Sequence, residues 1–248
     1  MQMLRSILFI FLMYLAMAVI GILGAPFALW SRDWTYRVMK FYCHTVFWLM
    51  RVLCGLRYEV RGQVPDGPVM IGAKHQSFLD ILILASVLPR FKFIMKQELR
   101  WAPILGLYAM RVGSAPVHRG RKGGAVKQMM SGVEKEQDEA GQIIIYPQGT
   151  RVPPGTHIPY KVGAGVIYDR LGQTCYPAAT NVGVFWPKRG LKRYPGTAVI
   201  EFLEPIAPGL PVSQFVRRLE HEVETASNRL MREAGFTQDL PEPREPHP

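Results

Sequence analysis

The sequence predicts an α/β fold in which a mixed, mostly parallel sheet is flanked by helices and follows an N-terminal hydrophobic helical membrane anchor. Short apolar runs alternate with helical patterns after Gly55, as they do in proteins with parallel sheets. The chain has 248 residues, of which 48% are hydrophobic, enough to fill one large core. We therefore divide it into an anchoring segment (1–56), an α/β domain (57–236) and a disordered tail (237–248).

The anchoring segment begins with a long apolar stretch that has no charged residue between Arg5 and Arg32. About twenty apolar residues are enough for a helix to cross a bilayer. A cleaved signal peptide is the competing interpretation. The stretch is longer than a usual signal-peptide core, and Gly24 to Phe27 is a poor cleavage site. The sequence therefore favours a retained membrane helix.

From Arg32 to Leu56, basic residues are mixed with tryptophan, tyrosine and phenylalanine. This mixture is typical of a helix at the membrane interface or of a second membrane-embedded helix. The alternative is an amphipathic helix that packs on the soluble domain.

The α/β domain contains six strand candidates and two clear helix patterns. A helix is predicted over Ser77 to Ser86, with Ser77 as its cap. A surface helix is predicted over Val212 to Ala234, with Ser213 as its cap and Gly235 ending it. The strand candidates are Tyr58–Arg61, Pro68–Gly72, Phe91–Met95, Gln142–Tyr146, Cys175–Val184 and Thr197–Phe202.

The composition limits the kinds of partner that the chain can have. Thirty Lys and Arg against nineteen Asp and Glu give a net charge of +11, which favours an anionic partner. The basic residues are scattered and follow no nucleic-acid-binding motif, so we expect no nucleic-acid partner. Three widely spaced cysteines indicate neither a disulfide framework nor a zinc site, and we predict no metal.

A histidine and a carboxylate form the candidate catalytic pair. The apolar run that starts at Val69 ends near His75, and Asp80 follows five positions later on the predicted helix. A neutral imidazole can accept a proton at physiological pH, and a carboxylate on its other nitrogen fixes the tautomer. Such a pair also arises by chance, and helix capping or a salt bridge is the alternative role. Ser77 lacks the surroundings of a nucleophile elbow and is better explained as a cap.

Four sequence blocks, in their order and spacing, resemble the glycerolphosphate and lysophospholipid acyltransferases, in particular the bacterial 1-acylglycerol-3-phosphate acyltransferases. The first block is the His-x-x-x-x-Asp motif. Two departures occur: Gln148 stands where the family usually has glutamate, and Tyr-Pro-Ala-Ala replaces a more hydrophobic run. The other blocks are Lys96–Pro103 with Gly106, Gly113, Arg119 and Gly120; Tyr146–Arg151; and Tyr176–Ala179, which is preceded by Lys161–Ala164.

The resemblance implies a reaction and a location. It implies a membrane-associated acyltransferase of phospholipid biosynthesis that moves an acyl chain from acyl-CoA or acyl carrier protein to the sn-2 hydroxyl of lysophosphatidic acid. His75 would be the general base and Asp80 would orient it. No cofactor would be required, because the donor thioester is already activated. The domain would face the cytoplasm from the inner membrane, since both donors are made there.

The resemblance also implies how the acceptor phosphate is held. Arg119 and Arg151 would bind it, because a guanidinium can contact two phosphate oxygens at once. The backbone at Gly149 and Thr150 would approach the anion closely. For Arg119, a solvated basic loop remains the alternative.

Lys96 and Lys161 are secondary candidates for substrate binding, and ordinary surface lysines are the alternative. The apolar residues from Phe91 to Tyr108 would line a channel for the acyl chain or simply form core.

Two further functions stay open at this stage. One is acyl transfer to another lyso-lipid, such as a lyso-ornithine lipid, which has no phosphate. The other is a non-catalytic basic protein that binds membranes.

Overall fold

A computed structural model describes residues 1–117 and 141–241, and within these ranges seven strands form one sheet. The strands are β1 (Leu56–Arg61), β2 (Val69–Ala73), β3 (Phe91–Lys96), β4 (Ala115–Val117), β5 (Gln142–Ile145), β6 (Cys175–Thr180) and β7 (Gly196–Phe202). Their order is β1-β7-β6-β2-β5-β3-β4. Only the β6–β7 pair is antiparallel among these strands, so the predicted mixed, mostly parallel sheet is confirmed.

Helices connect the strands and precede the sheet. A π-helical turn (Met50–Cys54) precedes β1, and a 3-10 turn (Gln97–Trp101) follows β3. The helices within the described ranges are α1 (Gln2–Trp30), α2 (Arg32–Leu49), α3 (Leu79–Val87), α4 (Leu105–Arg111), α5 (Val162–Leu171), α6 (Val182–Phe185) and α7 (Val212–Glu233).

Strand β2 occupies the centre of the sheet, between β5 and β6. All five of its residues are buried, as expected of a strand covered on both faces. Helix α7 approaches it closely, because a Cβ added at Gly72 would lie 2.7 Å from Leu219. The segment after β2 therefore starts from one of the most constrained positions in the fold.

The two N-terminal helices share the main hydrophobic core with the sheet. Phe9 and Met13 of α1 belong to the same buried cluster as Ile71 and Ile144. The opposite face of α1 is exposed and apolar. Among the described residues, α1 is the one helix long and apolar enough to span a membrane.

Helix α2 has features of both arrangements expected for it. Its N-terminus is capped by the Ser31 hydroxyl, which accepts the Asp33 N–H at 3.2 Å. One face packs against α1 and α3. The other face exposes Phe41 and Trp48, which are 64% and 63% exposed. The helix thus packs on the α/β domain while presenting large aromatic side chains to its surroundings.

The main differences from the sequence prediction are at the end of one strand and in the caps of two helices. The strand predicted over Cys175–Val184 ends at Thr180, because Asn181 binds Val199 N–H at 2.7 Å and the Leu230 carbonyl at 3.1 Å, and α6 follows. Helix α3 begins at Leu79 rather than at Ser77. Ser213 does not cap α7, which begins one residue before it.

Two further predictions concern the end of α7 and the tail that follows it. Gly235 ends α7 as predicted, with a φ of 78° that suits glycine. Residues 237–241 form no helix or strand, and Asn228 on α7 donates to the Pro241 carbonyl at 2.9 Å. The rest of the predicted disordered tail lies outside the described residues.

Candidate active site

The turn between β2 and α3 holds His75 and Asp80 together. The Asp80 carboxylate lies 2.8 Å from His75 Nδ1 through Oδ1, and its Oδ2 accepts the backbone N–H groups of Gln76 at 2.9 Å and Ser77 at 2.8 Å. Asp80 is fully buried and His75 is 9% exposed. Because a carboxylate accepts at Nδ1, the imidazole carries its proton there and keeps the Nε2 lone pair free to accept another.

Two polar residues of this turn have structural contacts. The Ser77 hydroxyl accepts the Leu79 N–H at 3.2 Å and so helps to start α3, although it lies before the helix. The Gln76 side chain accepts the Gly183 N–H at 2.9 Å. These bonds tie the turn to α3 and to the segment after β6.

The imidazole ring of His75 stacks on Tyr146, with ring centroids 4.0 Å apart and planes at 18°. Burial and the nearby Asp80 carboxylate raise the pKa of Tyr146 well above its ordinary value, so its hydroxyl stays protonated. Stacking fixes the plane of the imidazole, while Asp80 fixes its rotation within that plane.

His75 lines a cavity of about 430 Å³ that lies between the N-terminal helices and the sheet. One part of the lining is apolar and includes Met17 and Ile20 of α1, Met39 of α2 and Leu105 of α4. The cationic part of the lining is formed by Lys96, Arg151 and Lys188, and Thr150 adds a hydroxyl. The cavity can thus hold a molecule with an apolar chain and an anionic group.

The structure brings most of the sequence-predicted residues together. His75, Lys96, Thr150 and Arg151 line the same cavity, and Asp80 lies behind His75. Lys96 is half exposed and forms an ion pair of 3.2 Å with Glu98.

The remaining predicted residues lie beside the cavity or outside the described ranges. Lys161 is exposed, and its amine is 2.8 Å from the place that a Cβ on Gly149 would take. Gly149 has a φ of 71°, and its N–H donates to the Tyr146 carbonyl at 2.8 Å. Its contribution is therefore the shape of the turn. Arg119 lies outside the described residues.

The apolar stretch from Phe91 to Tyr108 does line the cavity, through Phe93, Leu105 and Tyr108 among others. Sequence reasoning missed the part of the lining that comes from α1 and α2. The only signal there was the high apolar content, which was explained by membrane anchoring.

Two further polar features were also missed. The Lys188 amine lines the cavity and donates to the Arg151 carbonyl at 2.7 Å. Lys74, directly before His75, forms an ion pair with Glu224 of α7, and the side chains are 1% and 3% exposed. Neither residue belongs to a motif, and both are positioned by elements distant in sequence.

The donor sets available to a metal ion are limited within the described ranges. No group of three or more His, Cys, Asp or Glu side chains is arranged there to hold one. Cys43, Cys54 and Cys175 are buried and unpaired with one another.

The fold and the site define the class of the protein. The acyltransferase family model matches residues 56–181, and the chain belongs to this family. It is 30% identical over 201 residues to the 1-acyl-sn-glycerol-3-phosphate acyltransferase of Pseudomonas aeruginosa, covering 79% of this chain and 78% of that protein. The chain is thus an acyltransferase similar to the 1-acyl-sn-glycerol-3-phosphate acyltransferases.

A further relative agrees with this assignment, and a solved structure shares the fold. The human 1-acyl-sn-glycerol-3-phosphate acyltransferase alpha is 35% identical over 119 residues, which cover 46% of this chain and 42% of that protein. The crystal structure of the 1-acyl-sn-glycerophosphate (LPA) acyltransferase PlsC from Thermotoga maritima matches with a TM-score of 0.76. That match covers 96% of this chain and all of the other at 20% identity, and it confirms the fold.

Replacing Asp80 tests how strongly its carboxylate holds the turn. Asp80→Asn keeps the shape but turns an NH₂ group toward one of three N–H donors, so we expect the free energy of unfolding to fall by about 1–3 kcal/mol. Chemical denaturation in detergent measures this loss. Asp169→Asn, at an exposed position of α5, is the control, and equal stability of the two variants would contradict the prediction.

Proposed function

We propose that this acyltransferase moves an acyl chain from acyl-CoA or acyl carrier protein to the sn-2 hydroxyl of lysophosphatidic acid, giving phosphatidic acid. The observation that carries the proposal is the oriented His75 imidazole in a cavity with one apolar and one cationic part. The names of the relatives support the same acceptor.

In the proposed mechanism, His75 acts as a general base. Its Nε2 takes the proton of the acceptor hydroxyl as that oxygen attacks the thioester carbonyl. The new C–O bond forms and the C–S bond breaks. The imidazolium then returns its proton to the leaving thiolate, and no acyl-enzyme is formed. Asp80 stabilises the imidazolium through its contact with Nδ1.

The cationic part of the cavity would hold the acceptor phosphate. Arg151, Lys188 and Lys96 all line it, and the Lys188 amine donates to the Arg151 backbone carbonyl. Arg119 is assigned to the same phosphate by the family resemblance alone. Lys161 would contribute next to the cavity, where Gly149 shapes the turn. The apolar part would hold the acyl chain. In this scheme no cofactor or metal is needed, because the thioester supplies the activated acyl group.

The exposed apolar surface supports membrane association. Phe11 of α1 and Trp48 of α2 are each 63% exposed, and the net charge of +11 would attract anionic lipid. We propose that these helices hold the enzyme at the inner membrane with its domain on the cytoplasmic side, where both acyl donors are made.

Replacing the base tests the mechanism. Purified protein with palmitoyl-CoA and lysophosphatidic acid should release free thiol, and His75→Ala should lower the rate by at least about a hundredfold, the usual contribution of a general base. A thiol reagent measures the release, with His221→Ala on α7 as the control. Full activity in His75→Ala would rule out the base. No release by the wild-type protein would favour a non-catalytic membrane-binding role.

The acceptor can be identified by its phosphate. With lysophosphatidic acid, Arg151→Ala and Lys188→Ala should each raise KM roughly tenfold, because a phosphate contact is lost from the bound acceptor. Each variant is assayed beside lyso-ornithine lipid, which has no phosphate. If the wild-type protein turned over lyso-ornithine lipid faster, and Arg151→Ala left its KM unchanged, then lyso-ornithine lipid and not lysophosphatidic acid would be the acceptor.

Single aspartates test the membrane surface. Phe11→Asp and Trp48→Asp should each lower binding to phosphatidylglycerol vesicles several-fold, because a charge is costly among lipid chains. Val162→Asp is the matched control, since Val162 is 61% exposed but lies on α5. Vesicle flotation measures the bound fraction. Equal losses in all three variants would show that the N-terminal helices are not the contact surface.

A further inference from the structure

We propose that Glu224 is a positioning residue, whose single carboxylate sets the spacing between the His75 segment and the Gly149–Arg151 loop, and that Gln148 is its matched partner. The inference rests on the proposed function, since these two segments would hold the base and the acceptor phosphate. Glu224 lies on α7, outside all four sequence blocks.

The first contact of Glu224 reaches the base segment. Its Oε2 pairs with the Lys74 amine, and both side chains are almost fully buried. Lys74 immediately precedes His75, and its backbone N–H is bonded to the Ala178 carbonyl at 3.0 Å. The ion pair therefore holds the end of β2 against α7 from the side chain, while the sheet holds it from the backbone.

The second contact reaches the loop of the third block. Glu224 Oε1 accepts the Tyr160 hydroxyl at 3.1 Å and the Gln148 amide nitrogen at 3.4 Å. Burial and the Glu224 charge raise the pKa of Tyr160, so the phenol remains a donor. Gln148 directly precedes Gly149, Thr150 and Arg151. One carboxylate thus contacts the residues that lead into both halves of the site.

The surroundings of Gln148 explain why this position carries an amide. Its Nε2 faces two acceptors, Glu224 Oε1 and the Ile158 carbonyl, each at 3.4 Å. A glutamate here would face the same two acceptors and would place its carboxylate beside that of Glu224. Like charges at this distance disfavour each other strongly. In this chain the carboxylate at this contact sits on the helix, so the loop must supply a donor.

A charge exchange tests the pairing. Gln148→Glu and Glu224→Gln should each lower kcat/KM for lysophosphatidic acid at least about tenfold, with part of the loss in KM because the phosphate loop shifts. The double variant Gln148→Glu/Glu224→Gln moves the carboxylate to the loop and returns a donor to the helix. We expect it to recover to within about threefold of the wild-type protein, a coupling that independent sites do not show.

Two further variants separate positioning from folding. Glu220→Gln lies one turn earlier on α7, where Glu220 contacts His157 at 2.7 Å and Tyr160 N–H at 3.1 Å, and it should lower kcat/KM less than about threefold. Lys74→Met/Glu224→Leu removes both charges without leaving one buried alone, so it should fold. It should still lose activity about tenfold, because the link to the loop is gone.

The outcomes are read on folded protein, with circular dichroism and thermal unfolding measured for each variant. The proposal is overturned if Lys74→Met/Glu224→Leu keeps wild-type kcat/KM, or if the double exchange is no better than either single variant. A wild-type protein that transfers no acyl group to lysophosphatidic acid would instead refute the proposed function. The two failures are therefore distinguishable.

Discussion

The buried carboxylate of Asp80 is the constraint on which the site depends. It accepts three N–H groups, one from His75 and two from the backbone of the same turn. A buried N–H donor left without a partner destabilises the fold about as much as many core mutations do. The turn therefore has few alternative conformations. The orientation of the imidazole is therefore set when the chain folds and does not depend on a bound substrate.

The sheet topology explains how distant segments meet at this turn. His75 and Tyr146 follow β2 and β5, and Lys96 is the last residue of β3. Strand β5 lies between β2 and β3 and is parallel to both. Parallel strands direct their carboxyl ends to one edge of the sheet, where ligands bind in open α/β folds. The Val152 N–H donates to the His75 carbonyl at 2.7 Å and joins the two central segments directly. The N-terminal helices close this edge and supply part of the apolar lining of the cavity.

Local patterns predicted what depends on neighbours in sequence. The strand alternation predicted the sheet, and the spacing of His75 and Asp80 predicted a contact that lies within one turn. No local pattern in the sequence records the contacts of Lys188, Tyr146 and Glu224. These residues are positioned by β6, β5 and α7. The end of β6 was missed for the same reason, because Asn181 is held by partners on β7 and α7.

Helix α1 bears on how a soluble form of the enzyme could be prepared. Gln2 donates to the carbonyls of Cys54 and Arg193 at 3.1 and 2.8 Å, and Phe9 is fully buried in the main core. Truncation of this helix would expose the cluster beneath the sheet and remove one wall of the cavity. Solubility is better sought by polar substitutions on the exposed face of α1, which leave Phe9 and Met17 in place.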